Sequence, residues 1–346
     1  MMKEGVVLDI YVSAVATCLP VELELAGEAV ARGQISLRDV NRDGYESLTV
    51  SGSASGPEMA VLAARRVLAS AATRPEDVGL LVHSWLYHQG HDFWSPAHFV
   101  ASELGTSRAL PVGLMQMCDG ALGLELAIDR MAARPTVRTA LVTTGDRFAG
   151  PYFDRWSSDS GVSYGDGGTA VLLSRTAGRF RVLGIGSVAA PSLESMHRGD
   201  RPSSPAPRTD RSVLDIRETK RWFLETHGRD TFRATVTSCL QRAVAEALCH
   251  AGIAADDPRI RRLLLPRLGR SVLDSSYLPA LEDLLHAEVV DLGRATGHLG
   301  AGDAAANLAD LDRLGLLDPG EIAVVVSAGA GFTWTCVVVE TPSENT

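Results

Sequence analysis

Three short stretches of this sequence combine a reactive side chain with the local geometry that would activate it. Cys118 follows an extended apolar segment, Pro111 to Met117, and precedes Asp119, Gly120 and a stretch with helical spacing. A cysteine at such a strand-to-helix corner faces the positive end of the helix dipole, which favours thiolate. The same corner can aim a backbone N–H at a developing oxyanion. A buried structural cysteine is the alternative. His298 and Asp303 stand five residues apart in a glycine-rich loop, Gly293 to Asp303, just before a helix expected from Ala304. A carboxylate on one imidazole nitrogen would leave the other facing a pocket, the base-and-orienter half of a nucleophilic triad. The alternatives are an N-cap role for Asp303, a backbone-bonded loop histidine, and a phosphate cradle. Ser327 to Trp334 carries glycines between two strand-like runs, where backbone can approach a reacting atom closely. Tyr164-Gly165-Asp166-Gly167-Gly168 by itself reads as a turn.

The elements that must position these residues alternate between strand-like and helix-like patterns. The first half reads as a strand (Leu8 to Ala16), a helix (Pro57 to Ala71), a buried strand (Val78 to Ser84) and a helix (Ser95 to Leu104). It continues with the extended Pro111 to Met117, a helix (Gly120 to Ala133) and strands at Thr139 to Thr144 and Thr169 to Ser174. The pattern then restarts with strand Val182 to Val188, helix Thr231 to Ala251, strand Arg262 to Leu265 and helix Val272 to Leu285. Strand Val289 to Asp291, helix Ala304 to Leu314 and strands Ile322 to Val326 and Thr333 to Val339 complete it. Two successive halves rich in βαβ units predict a layered α/β fold with internal pseudo-symmetry, divided into 1–178 and 179–346. Arg198 to Arg211, with three prolines, reads as a surface loop or flexible insertion.

Composition excludes several classes. The 346 residues include 33 basic and 42 acidic side chains, a net charge of -9. That balance argues against nucleic acid or an anionic membrane as the main partner. Only Lys3 and Lys220 are lysines, and neither lies in a recognisable pocket motif, which argues against Schiff-base chemistry. Five scattered cysteines form neither a disulfide framework nor a zinc signature. His83, His88, His91 and His98 lie among Trp85, Tyr87, Phe93 and Trp94, a pattern that suits an aromatic interface or pocket wall better than a metal site. A charged, interrupted N-terminus makes a poor signal peptide, and the longest uncharged run, Ile322 to Val339, reads as two strands. The expectation is a soluble cytoplasmic protein without a metal or resident cofactor.

Taken in order, the motifs resemble the ketoacyl-ACP synthase III family of the thiolase superfamily along nearly the whole chain. Met117-Cys118-Asp119-Gly120 resembles the family's nucleophile region, and Tyr164 to Gly168 its glycine-aspartate-glycine segment. Ala328 to Trp334 resembles its glycine-rich ending, where the Ala330 N–H would join that of Cys118 in the oxyanion hole. The departures matter as much. Leu264-Leu265-Pro266-Arg267 puts Arg267 where the condensing family has a histidine, and His298 falls where it has an asparagine. Decarboxylative condensation needs two neutral donors over one thioester carbonyl, and this set does not reproduce them. Cys118, His298 and Asp303 instead resemble the synthase III-like acyltransferases of antibiotic pathways. These move a malonyl-type or aromatic polyketide acyl group to a sugar hydroxyl or carrier thiol.

The resemblance further implies a homodimer in which Phe93 enters the partner's acyl pocket, with Trp94 and Arg267 as further substrate-binding residues. Trp85, Trp222 and Phe223 would help set pocket volume. Gly44 to Val50 lacks the tryptophan and arginine that sandwich the CoA adenine in the family, which implies weakened or different CoA binding and an acyl carrier protein as a credible donor. Arg261, Arg262, Arg267 and Arg270 would offer such an acidic carrier a basic patch. Two other readings remain: a decarboxylating synthase III with altered residues, and a non-catalytic partner subunit of a polyketide synthase.

Overall fold

The computed structural model describes residues 9–204 and 212–343. Residues 205–211 of the expected loop, and Leu8 with the N-terminal segment before it, lie outside the described residues. No helix among the described residues is long and apolar enough to cross a membrane.

The strands are β1 (Tyr11–Cys18), β2 (Leu23–Leu25), β3 (Ser47–Thr49), β4 (Leu80–Ser84), β5 (Leu110–Leu114), β6 (Thr139–Asp146), β7 (Gly167–Ser174), β8 (Phe180–Ala189), β9 (Ile260–Leu264), β10 (Glu288–Val290), β11 (Ile322–Gly329) and β12 (Thr333–Glu340). Ten of them form one mixed sheet in the order β10-β9-β11-β12-β8-β1-β7-β6-β4-β5, while β2 and β3 pair separately. Read inward from either edge, the sheet repeats one order: β5-β4-β6-β7-β1 in the first half, β10-β9-β11-β12-β8 in the second. In each half the three outer strands run parallel and a hairpin-like pair, β6–β7 or β11–β12, turns the chain antiparallel. The halves join where Tyr11 and Val12 of β1 pair with Arg181 and Phe180 of β8.

Strands buried on both faces read as continuous apolar runs, and here alternate side chains serve two cores. Leu80, Val82, Ala140 and Val142 face an inner core together with Leu264, Ala323, Val325, Val337 and Val339 from the other half. That core is filled by the helices Ala121–Ala133 and Asp303–Arg313, through Leu124, Ile128, Leu308 and Leu311. Leu81, Leu141 and Leu172 face outward onto the helices Gly56–Ser70 and Pro96–Leu104. Leu263, Val324 and Val338 face outward onto the helix Arg229–Ala251. The layers are therefore helix, half-sheet, paired central helices, half-sheet, helix.

Two differences from the periodicity have local causes. The helix expected from Val272 to Leu285 is broken into Arg270–Val272, a wide turn at Leu273–Tyr277 and Leu278–Leu281. Pro279 lacks the N–H and crowds the preceding turn, so a regular helix cannot continue through it. The helix Ile216–His227 has no counterpart in the sequence reading, because its polar composition hides the single face that buries Phe223.

Close helix–sheet approach depends on small residues. A Cβ at Gly168 of β7 would lie 2.3 Å from the Met59 carbonyl carbon and 2.4 Å from the Ala60 nitrogen, both backbone atoms of the helix Gly56–Ser70. Gly168→Ala should lower stability by about 1–3 kcal/mol, as overpacking does. An unchanged urea midpoint would show that this contact is slack.

Candidate active site

The pseudo-symmetry places the reactive residues. Cys118 follows β5 and precedes the first central helix; His298 follows β10, the equivalent strand, and precedes the second. At the cysteine corner Met117 adopts φ 52°, a left-handed conformation uncommon for a side-chain-bearing residue. The Asp119 N–H donates to the Gln116 carbonyl at 3.1 Å and the Gly120 N–H to the Cys118 carbonyl at 3.0 Å, closing a tight elbow. Glycine is required at 120: a Cβ there would lie 1.9 Å from the Ala301 carbonyl oxygen. The cysteine and histidine loops thus touch backbone to backbone.

His298 is buried, and its Nδ1–H donates to Asp303 Oδ2 at 2.6 Å. That carboxylate also accepts from the Arg267 N–H at 2.7 Å and the Leu299 N–H at 2.8 Å. With Nδ1 committed, Nε2 is the nitrogen left for Cys118, to which the imidazole is hydrogen-bonded. Burial pulls the imidazole toward neutrality, but the Asp303 carboxylate and the Cys118 sulfur outweigh it and raise its pKa well above the ordinary value. Asp303 is the first residue of its helix, with Gly302 at the cap position, so its carboxylate serves the imidazole rather than the helix end.

The Tyr164-Gly165-Asp166 segment is the clamp on this loop. The His298 N–H donates to the Ser163 carbonyl and the Gly165 N–H to the His298 carbonyl, both at 2.9 Å, and the Tyr164 ring lies edge-on 5.2 Å from the imidazole. Asp166 in turn accepts from the Ser51 and Phe148 N–H groups, both at 2.8 Å, and pairs with Arg155 at 3.1 Å. A second buried acid, Asp146, accepts from the N–H groups of Leu86, Tyr87 and Ala301. Burial pushes its pKa up to about 7 against those hydrogen bonds. Nothing in the pattern around Asp146 singles it out, since its partners lie far away in sequence.

Cys118, His298 and Ala330 line one cavity of about 450 Å³, walled by Val162, Tyr164, Leu268, Tyr277, Phe232, Phe332 and Trp334. Among the described residues, the N–H groups of Cys118 and Ala330 donate to no protein acceptor. Arg267 is not part of this cavity. Its side chain is buried against the helix Asp303–Arg313, with Nε donating to Asn307 at 3.0 Å, Nη1 to Thr296 at 3.0 Å and Nη2 to Asp310 at 2.6 Å. The expected substrate role for Arg267 is thereby corrected: three polar partners hold its guanidinium away from the cysteine.

The expected arginine patch is only partly present: Arg267 is buried, Arg261 pairs with Glu321 and Arg262 with Glu288, while Arg270 is exposed. The basic groups at the cavity are instead Arg217, Lys220, Arg221 and Arg229. Lys220, unremarked by its sequence surroundings, lines the cavity and donates to the buried Asp159 at 2.6 Å; the Tyr164 hydroxyl donates to the other oxygen of that carboxylate at 2.9 Å. Phe93 and Trp94 do not line the cavity. Phe93 is fully exposed, and Trp94 packs on His91 and Phe99. Nor do Trp85, Trp222 or Phe223 line it. Within the histidine cluster, His83 is bound to Thr143 and Gln89, and no group of three or more His, Cys, Asp or Glu among the described residues is placed to hold a metal ion.

Asp303→Asn should leave the fold intact while depriving the imidazole of its orienting charge. By the behaviour of other triads, a reaction that uses this imidazole as its base should slow by about 10⁴-fold. Single-turnover kinetics of the purified variant provide the check, and a rate near that of the unaltered protein would contradict the role assigned to the carboxylate.

Comparison with known proteins shows the family. The family model described as 3-oxoacyl-[acyl-carrier-protein] synthase III matches residues 113–189, and the one for its C-terminal part matches residues 248–341. The β-ketoacyl-[acyl-carrier-protein] synthase III of Rhizorhabdus wittichii is 27% identical over 306 residues, covering 87% of this chain and 89% of the relative. A solved structure named ChlB3, an acyltransferase, superposes with a TM-score of 0.87 at 31% identity, covering 96% of this chain and 98% of that one. The synthase III of Aquifex aeolicus VF5 shares the fold, with a TM-score of 0.75 at 18% identity, covering 96% of this chain and 99% of that one. The matched regions contain the elbow that carries Cys118 and the loop that carries His298 and Asp303, and this chain belongs to the 3-oxoacyl-[acyl-carrier-protein] synthase III family of thiolase-fold enzymes.

Proposed function

We propose that this enzyme is an acyltransferase that forms no carbon–carbon bond. It would take an acyl group, malonyl-type or aromatic polyketide, from a carrier-protein or CoA thioester and pass it through Cys118 to a sugar hydroxyl of a natural product or a carrier thiol. The observation that carries this reading is the direction of Arg267. With its guanidinium spent on Asn307, Thr296 and Asp310, the cavity offers one imidazole paired to a carboxylate in place of two neutral donors. A malonyl enolate would lack its second hydrogen bond there, whereas acyl transfer needs only a nucleophile, one base and an oxyanion hole. The neighbour ChlB3, itself named an acyltransferase, is in line with this.

His298 Nε2 takes the Cys118 proton, and the sulfur attacks the thioester carbonyl. The N–H groups of Cys118 and Ala330 hold the oxyanion, and the departing thiolate takes the proton from the imidazolium. An acceptor O–H or S–H then gives its proton to the same nitrogen and attacks the acyl-enzyme. The Cys118 sulfur leaves and recovers that proton. Asp303 holds the tautomer and stabilises the imidazolium in both halves. The basic groups Arg217, Lys220, Arg221 and Arg229 at the cavity suit the phosphate of a pantetheine arm, whether on a carrier or in CoA.

Intact-protein mass spectrometry after mixing with malonyl, methylmalonyl, acetyl and aryl thioesters, on CoA and on a carrier protein, should show a mass gain equal to the whole acyl group. The Cys118→Ala variant should show none. Release of carbon dioxide with an extended product would establish condensation instead. Absence of any adduct would favour a non-catalytic partner subunit.

The proposal includes a homodimer. β5 is an open sheet edge; Leu110 on it and Met115 just beyond it are exposed apolar side chains, and Phe93 is a further one. Exposed apolar side chains beside an unpaired strand suit pairing with a second copy. Light scattering should give twice the chain mass, and Phe93→Asp should impair acyl loading by disturbing the partner's pocket. A monomeric, fully active protein would remove this part of the reading.

A further inference from the structure

Beside the nucleophile stands a carboxylate that the mechanism above does not use. Asp119 is fully buried and does not line the cavity. A buried carboxylate is tolerated only where hydrogen bonds replace its water. One Asp119 oxygen accepts from the Thr335 hydroxyl of β12 at 2.8 Å, and the other from the Leu122 N–H at 3.3 Å. The Ser327 hydroxyl of β11 is a further donor. Burial nonetheless pushes the carboxyl pKa up to about 6, helped by the nearby charge of Glu125 and opposed by these three hydrogen bonds.

The partners have a common location. Ser327 and Thr335 are directly paired across β11 and β12, the hairpin whose turn carries Ala330. Three residues from Ser327, that turn supplies the second oxyanion N–H. Gln116, on the other side of the cysteine, donates to the Thr333 hydroxyl at 2.9 Å. Thr333 and Thr335 are two apart on one strand and so face the same side. Between these two attachments the backbones meet: a Cβ at Gly329 would lie 2.3 Å from the Gln116 carbonyl oxygen and 2.9 Å from the Asp119 nitrogen. The Thr335 hydroxyl is further held by Ser187 at 2.6 Å, and Ser187 by Glu125 of the central helix.

We propose that Asp119 is a positioning residue for the oxyanion hole. Its carboxylate locks the Cys118 elbow to the β11–β12 hairpin, so that the N–H groups of Cys118 and Ala330 converge on one point. This rests on the reading that Cys118 is acylated and that Ala330 supplies the second donor. Cys118 and Ala330 belong to different halves of the chain, and no covalent or ladder contact sets their separation. The Asp119–Thr335 and Gln116–Thr333 hydrogen bonds do so.

The test compares two reactions of the same sulfur. Acylation by an acyl-pantetheine thioester passes through a carbonyl oxyanion, whereas alkylation by iodoacetamide displaces iodide and forms none. Asp119→Ala should slow acylation by about 10²-fold, the scale expected for a misplaced oxyanion donor, and leave alkylation of Cys118 within about twofold. Thr335→Val, which removes the far end of the lock without touching the elbow, should separate the two rates in the same sense by a smaller factor. Asp119→Asn, which keeps an acceptor for Thr335, should restore most of the acylation rate. Equal loss of both reactions in Asp119→Ala and in Thr335→Val, or no loss of acylation in either, would overturn the proposal. An unaltered enzyme that alkylates at Cys118 but never acylates would instead remove the reading on which it rests.

Discussion

Asp303 is the point at which the architecture meets the chemistry. Its buried carboxylate accepts from the His298 imidazole, from the Leu299 N–H of the same loop and from the Arg267 N–H at the end of the neighbouring strand β9. A buried carboxyl group in such a place is tolerated only with its oxygens fully bonded. The consequence runs in both directions. The fold must bring three donors to one point, and once they are there the imidazole has a single orientation and a single free nitrogen.

The way the fold supplies those donors is duplication. Each half ends its outer parallel strand, β5 or β10, just before a central helix, and the two central helices share one apolar core. Residues that precede the helices are therefore neighbours across the pseudo-symmetry, although 180 positions separate Cys118 from His298. Close approach is achieved by backbone alone at Gly120, Gly165 and Gly329, each of which faces a carbonyl oxygen of another loop. Buried acids, Asp119, Asp146 and Asp166, then tie the loops through N–H and hydroxyl donors. Two of these acids are pushed by burial toward neutral pH. The site is rigid because polar groups with no access to water have only one way to be satisfied.

Of the two positions on which the proposed chemistry rests, His298 and Arg267, the second depends on where a side chain turns. Arg267 keeps its backbone in the site, through the N–H that reaches Asp303, while its guanidinium turns to Asn307, Thr296 and Asp310. The arginine thus helps hold the Asp303 carboxylate against the imidazole, while its guanidinium stays out of the cavity. A guanidinium so bonded is a fixed part of the wall behind the triad, and the cavity is shaped by Tyr277, Phe332 and Trp334 in its place.

The layered α/β fold was legible in the linear pattern, and so was the placing of Cys118, His298 and Asp303 at strand-to-helix corners where the fold brings them together. They depend on local quantities: apolar period, glycine next to a reactive side chain, and a five-residue loop that closes on itself. The broken helix near Pro279 and the helix Ile216–His227 were less so, because their boundaries depend on what they pack against. Where Arg267, Lys220, Phe93 and Trp94 point was not legible at all. A long side chain can reach several partners, and only tertiary structure decides that Arg267 finds Asp310, that Lys220 finds Asp159 beside the cavity, and that Phe93 stands exposed. By itself the sequence determined which atoms are able to react. The assembled fold decided which of them meet, because the contacts that orient a side chain come from residues brought together by burial rather than by sequence.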